Sequence, residues 1–464
     1  MSTAHRLRWL VVGAFHPEPT GQRFTVSADG LGERLALAAR DVSVTVADRL
    51  GAGDASPYPL SFQRLEDFSL EAILASQPDL RALGALREAL SGTRPLAPEE
   101  AARLQATVGT GRLAEALRQV RGSAAEARRA ALAVIDEAIH ATAEDLLHHP
   151  LVARLESAWR GLHWLASHCP PGTGMDLEVL DVAPSRLEEA LAASLDGPPL
   201  LLPDACFLLE ADARPESLAR LAALGESASV PLVVGLPLDA DDPGGWSALR
   251  AEEASRWVCA AVNPVVMRAE RRGTVRSTCL ASPVFAVAAM LAASFRDTRS
   301  LAHMVGPGRG LRAPAKGTRG TGAPTGTEVA LSLREQERLR ARGLLGVSGW
   351  PDSDQVGLLA APTLHAGRDV TLLPAQVLTG RLVRLALEVS ERLPAQATPD
   401  EVSTVCARAA AAFLPGGTPG AGCELGGQVV PTGGGGRGLH LRAALRPELA
   451  GTLLRLEFTV PLRG

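Results

Sequence analysis

Residues 177–182 (LEVLDV), 205–210 (ACFLLE) and 231–236 (PLVVGL) are three short apolar runs, and between them lie residues 185–194 (SRLEEALAAS) and 215–227 (PESLARLAALGES). The runs are too short to be buried helices, while the intervening stretches carry leucines at helical spacing. Strand, helix, strand, helix, strand in that rhythm predicts a sheet covered by helices. Outward toward the N-terminus, residues 9–15 (WLVVGAF) read as another strand, with residues 23–26 as its neighbour and residues 28–40 as a helix. Val42, Val44 and Val46 alternate with polar residues, the period-two mark of a half-buried strand, and residues 60–65 form a second extended piece. Ser69 is placed to cap a helix over residues 70–76, and Pro78 to open the next, over residues 79–90.

Further helices are expected over residues 98–107 and 112–120, separated by the turn at 109–111, with a boundary at Arg121-Gly122-Ser123. A long helix follows over residues 124–147. Pro150 ends it and starts another over 151–168, where Leu151, Leu155, Trp159 and Leu162 share one face. Residues 306–327 and 416–438 are rich in Gly and read as mobile loops. Helices are expected over residues 372–392 and 399–413. The chain closes with a hairpin in which Leu439, Leu441 and Leu445 alternate with small or polar neighbours, and Leu454, Leu456, Phe458 and Val460 alternate again.

Composition narrows the function classes. The 464 residues suggest two to four domains, and the net charge of -4 argues against a generic polyanion binder. Aromatics are 3%, with Tyr58 the single tyrosine, too few for stacking on single-stranded nucleic acid. Lys316 is the sole lysine, so positive charge is almost entirely arginine. No apolar run is long enough to cross a membrane, and residues 1–15 are too short an apolar opening for a signal peptide. The six cysteines are scattered without a CxxC pair, as expected for buried small residues of a reducing cytoplasm.

Motifs for chemistry fail their context tests. Gly306-Pro307-Gly308 contains a proline and lacks a strand-turn-helix setting, and Ala315 stands where a phosphate loop needs glycine before its lysine. His140, His148, His149, His163 and His168 cluster in sequence, but without HExxH or finger spacing. His148 and His149 are expected to bond the free carbonyls at a helix end. No GxSxG elbow is present, and the acidic pairs sit where carboxylates are solvated. The sequence assigns no catalytic residue, cofactor or metal. An enzyme on an α/β scaffold using the histidine cluster is the contrasting hypothesis.

Three groups of residues then carry a resemblance. Trp9 to Phe15, Leu60 to Phe62, Leu65 to Phe68, Leu80 to Leu90 and Leu113 to Leu117 resemble the small sheath subunit of bacterial type VI secretion systems (TssB/VipA-like). Ile135-Asp136, Leu146 to Pro150, Leu155-Glu156 and Trp159 to Leu162 resemble the large sheath subunit (TssC/VipB-like). Residues 246–258, 302–307, 327–335 and the closing hairpin continue that second likeness. The resemblance implies small and large subunits fused head to tail, over residues 1–121 and 123–464. It implies two sheath-type α/β domains packed together, with mixed sheets flanked by helices. The family forms a contractile sheath around an inner tube, assembled on a baseplate in the cytoplasm, and its members are not enzymes. The implied partners are other sheath protomers, the inner tube protein and baseplate proteins, with no nucleic acid and no membrane. An AAA+ ATPase dismantles the contracted sheath in the family, but the stretch it reads has no counterpart at the junction. The residues ahead of position 7 are also too few for the family's first N-terminal arm. An arm-less adaptor of a baseplate or sheath end, and a phage-tail-like sheath protein, are the alternatives. The implied interface residues are Leu439, Leu441, Leu445, Leu454, Leu456, Phe458 and Val460 for subunit pairing. Leu83, Leu86, Leu90 and Trp159 would join the two halves.

Overall fold

A computed structural model describes residues 6–47, 55–91, 124–238, 246–272, 275–306, 308–317, 323–367, 371–394, 396–413, 423–432 and 437–462. The expected helices at 98–107 and 112–120, the turn at 109–111 and the boundary at 121–123 lie outside the described residues.

The chain begins with β1 (Leu7–Gly13) and β2 (Arg23–Val26), then α1 (Leu31–Ala38), which turns Leu31, Leu35 and Ala38 inward. The alternating valines form β3 (Val42–Ala47), antiparallel to β4 (Ala55–Leu60). The hydroxyl of Ser69 accepts from the Ala72 amide at 3.2 Å, starting α2 (Leu70–Ser76), and Pro78 opens α3 (Pro78–Ser91). There follow α4 (Ala124–His148), α5 (Pro150–Ser167), β5 (Met175–Asp181), α6 (Leu187–Leu195), β6 (Ala205–Leu208), α7 (Pro215–Ala228), β7 (Leu232–Gly235), α8 (Trp246–Ala251) and β8 (Val258–Val262). The hairpin β9 (Val265–Arg272) and β10 (Val275–Ala281) precedes α9 (Val284–Thr298) and β11 (Leu311–Arg312). The rest is α10 (Leu333–Ala341), β12 (Leu344–Gly349), β13 (Gln355–Leu358), α11 (Leu373–Arg392), α12 (Pro399–Phe413), β14 (Cys423–Pro431), β15 (Arg437–Leu445) and β16 (Leu454–Pro461). The molecule is α/β, with a large mixed sheet flanked by helices and an antiparallel C-terminal sheet.

Two compact units emerge, one of residues 1–30, 160–267 and 280–464, the other of residues 31–159 and 268–279. These cuts differ from the 121/123 junction, which is a line of resemblance and not of compactness.

The larger unit is built on nine strands in the order β11-β13-β12-β8-β7-β6-β1-β5-β2. From β12 to β5 the strands are parallel; β13, β11 and β2 complete the sheet antiparallel to their neighbours. The sheet's core explains why the central strands read as unbroken apolar runs, because both faces are covered. On one face Leu191, Leu218, Leu221, Trp246 and Leu249 of the helices pack on Leu10, Val12, Leu208, Val234 and Ala260. On the other, α9 is buried from Val284 to Phe295, and Gly161 of α5 approaches so closely that a Cβ would stand 2.2 Å from the Phe285 ring. β1 lies between β5 and β6, with Trp9 opposite both Leu177 and Ala205. β2 pairs with β5, not with β1 as the sequence reading expects. A short strand has no signal for its partner, and here β5 offers the free edge.

The described parts of both expected loops contain paired segments. Within 306–327, β11 pairs with β13, Gly317 bridges to Thr325, and Thr325 and Thr327 are buried. Ala313 donates to the Asp354 carbonyl at 2.8 Å, Ala315 to the Val266 carbonyl at 3.3 Å, and the Gly326 carbonyl accepts from Val266 at 2.9 Å, while residues 307 and 318–322 lie outside the described part. Within 416–438, residues 423–431 are β14, paired along its length with β15, so the closing hairpin is a three-stranded sheet. Gly427 is required there because a Cβ would stand 2.7 Å from Cys406 Sγ on α12. Residues 414–422 and 433–436 lie outside the described part.

In the smaller unit, α2 and α3 pack against α4, and α4 against β3. Val42, Val44 and Val46 are buried, and Phe62 and Phe68 stack with ring centroids 3.9 Å apart.

Candidate assembly surfaces

The C-terminal sheet lays one face on α11 and α12. Leu439, Leu441, Leu445 and Val460 are buried, and the first two pack with Leu385, Val389, Val402 and Cys406. Leu454, Leu456 and Phe458 on the outermost strand β16 are half-buried, and Leu453 beside them is 54% exposed. A void of about 10 Å³ lined by Leu385, Cys406, Leu441 and Phe458 remains inside. It is apolar and barely water-sized, so it stays dry. The outer face is polar. His440 bonds Thr459 at 3.0 Å and Glu457 at 2.9 Å, and Arg442 donates to Glu457 at 2.9 Å. Those two partners hold the Glu457 carboxyl below the usual carboxylate range. Among the described strands β14 and β16 each pair only with β15, which leaves one edge of each able to accept a further strand.

In the smaller unit, α3 buries Leu83 and Leu90 against its surroundings, and Trp159 of α5 is 1% exposed; the Leu86 side chain lies outside the description. Arg87 pairs with Asp136 of α4, and Arg128 reaches the Leu90 carbonyl. Sequence reasoning missed the strongest polar link. Arg268 of β9 forks onto Glu156 of α5 at 2.6 and 2.8 Å, and bonds Glu270 and Ser277 at 3.1 Å. Glu270 in turn accepts the Leu70 amide at the start of α2, at 3.1 Å. Burial works against the Arg268 charge, but Glu156 outweighs it and the guanidinium is held above its ordinary range. One network thus ties residue 70 to residues 156, 268, 270 and 277. Only the local Leu155-Glu156 motif hinted at it.

In the larger unit a second buried charge cluster anchors the start of β1. Asp204 accepts from the Arg8 amide at 2.8 Å and from Arg384 at 2.7 Å, and pairs with Arg381, both arginines being on α11. Arg384 also donates to the carbonyls of Leu202 and Pro203 at 3.0 and 2.7 Å. At the other end of β1, Asp181 accepts from the amides of Phe15 and Thr20 at 2.7 and 2.6 Å. Burial opposes the Asp181 charge, and its bonds from His16, Thr20 and Phe15 still hold it below the ordinary value.

The clustered histidines take separate local roles. His149 accepts the Leu151 amide at 3.3 Å, so it caps the start of α5 and does not bond the carbonyls ending α4. The correction follows from Pro150, which starts the next helix at once. His168 is pushed down to about 4, by burial first and by the Arg296 cation second. Among the described residues no cluster of three metal-ligating side chains forms, and no helix is long and apolar enough to cross a membrane. Cys206 is buried, and burial pushes its thiol up to about 12, the chemistry of an inert core residue.

Residues 129–197, which cover most of α4, all of α5 and β5, and α6, match the family model described as VipB: EvpB/VC_A0108, tail sheath N-terminal domain. A comparison with curated sequences finds no match. Among solved structures, the helical sheath of the anti-feeding prophage in its contracted state is similar at 12% identity and a TM-score of 0.37, covering 66% of this chain and 79% of that one. The contracted sheath complex of the PVC extracellular contractile injection system is similar at 12% identity and a TM-score of 0.36, covering 66% and 77%. The sheath tail protein Lin1278 from Listeria innocua is similar at 9% identity and a TM-score of 0.35, covering 60% of each chain.

Proposed function

We propose that this chain is a structural protomer of a contractile sheath of the type VI kind, with residues 1–121 as the small-subunit part and 123–464 as the large-subunit part. The observation that carries the reading is the family match over residues 129–197. It falls on the stretch whose 146–150 and 159–162 motifs resemble the large sheath subunit. The fused state has its own support. β1, from before the junction, fills an interior place in a sheet whose other strands, β2 apart, come from after it, and the Leu70 amide bonds Glu270 across the same divide. Linking two always-paired subunits in one chain makes their pairing intramolecular. On this reading the protein holds shape and does not turn over substrate, and it works in the cytoplasm. Its partners are other protomers, an inner tube protein and a baseplate. The open edges of the C-terminal sheet, with Leu454, Leu456 and Phe458 half-buried beside one of them, are the proposed pairing surface.

Negative-stain electron microscopy of the purified chain, alone and mixed with other sheath components, tests this. Tubes, rings or caps are expected. A chain that stays dispersed in every mixture contradicts the sheath reading. A stable monomer that co-purifies with a baseplate favours the adaptor.

A further inference from the structure

The β3–β4 hairpin of the smaller unit has two edges that differ in kind. Pro57 and Pro59 of β4 stand opposite Thr45 and Ser43. A proline nitrogen cannot donate, so these are the non-bonded pairs of the antiparallel ladder, which runs instead through Val42–Leu60, Val44–Tyr58 and Val46–Ser56. The outer edge of β4 therefore lacks donors at both prolines, and its Pro59 carbonyl is already taken by the Gln77 side chain at 3.0 Å. By the same register, the N–H and C=O groups of Ser43 and Thr45 point away from β4. Among the described strands none pairs with that side of β3, and Ser43, Thr45 and Ala47 are exposed.

Proteins guard free edges with charge, proline or a bulge. The edge strands of the nine-stranded sheet are guarded: β2 carries Arg23 and β11 carries Arg312. The β3 sequence, VSVTVA, has neither charge nor proline, and it is complementary to itself. Laid antiparallel about Thr45, two copies set Ser43 opposite Ala47, Thr45 opposite Thr45 and Val44 opposite Val46. Every outward-bonding residue then meets another, and the two valine faces lie on one side.

We propose that β3 is a self-association edge, at which a second copy of this chain adds its own β3 antiparallel to form a four-stranded sheet β4-β3-β3-β4. The edge is short, so the contact is weak and concentration-dependent. The contact is separate from the C-terminal edges assigned above and does not depend on the sheath reading.

Light scattering and sedimentation of the full chain over a concentration series test it, together with hydrogen exchange of residues 42–47. The wild type is expected to form dimers at high concentration, with slowed exchange in that segment. Thr45→Pro removes only an outward donor and copies the device of β4, so the hairpin ladder stays whole. Thr45→Lys adds a guarding charge without touching the backbone. Both are expected to weaken dimerisation about tenfold or more at unchanged melting temperature, while Thr45→Val dimerises as the wild type does. A wild type that stays monomeric throughout overturns the proposal. So does a Thr45→Lys chain that dimerises with wild-type strength and protection.

Discussion

The nine-stranded sheet and the three-stranded C-terminal sheet of the larger unit solve the same problem in opposite ways. The first is covered on both faces and ordered by contacts far apart in sequence, with charges such as Asp204, Arg381 and Arg384 locked inside it. The second packs one face on α11 and α12, keeps its charges at Glu457 and Arg442 in solvent, and leaves two edges unpaired among the described strands. The difference teaches that an ion pair's weight here is set by burial. It also teaches that bonding capacity left over marks where further chain can add.

The comparison breaks first at Asp204. Asp204→Ala removes the buried carboxylate that Arg381 and Arg384 share and is expected to cost about 3–5 kcal/mol in denaturant unfolding. A loss within error contradicts the role given to that cluster. Leu441→Ala in the C-terminal core is expected to cost about 2–5 kcal/mol, the void beside it enlarging. A much smaller loss shows that this sheet is less tightly packed than described.

The pH dependence sharpens the picture. His168 is held neutral by burial, its folded value about 4 against an ordinary 6.5. As pH falls through that window the unfolded chain takes up the proton first, so stability declines from about pH 6.5 to about 4. His168→Gln is expected to flatten the melting-temperature profile over that range and to leave it unchanged above pH 7. An unaltered slope places the acid lability elsewhere. The smallest effect is at the surface. Glu457→Gln is expected to leave the melting temperature unchanged, because the carboxylate is solvated; a clear drop removes the contrast with Asp204.

Local signals in the sequence were reliable where the physics is local. The valine alternation of β3, the Ser69 cap, Pro78 and the parallel strands β5, β6 and β7 all stand where periodicity and capping put them. What sequence did not reveal is pairing at a distance. β1 meets β5 and β6 across the length of a whole domain, and Glu156 finds Arg268 through folding alone. β14 was hidden because Gly426 and Gly427 read as loop, while Gly427 is in fact the gap into which Cys406 fits. The β9–β10 hairpin was hidden by its charged run near Arg271 and Arg272. The half-buried row Leu454, Leu456 and Phe458 was legible as alternation, but which of its members are covered depends on β16 being an edge.

Native-state hydrogen exchange on residues 7–13 tests most directly that the opening strand of the chain is built into the nine-stranded sheet. A strand seated between β5 and β6 opens only with the sheet, so its amides are expected to exchange at the rate of β5 and β6, by global unfolding. Exchange of residues 7–13 well ahead of those two strands contradicts the place of β1 between β5 and β6 in the sheet of the larger unit.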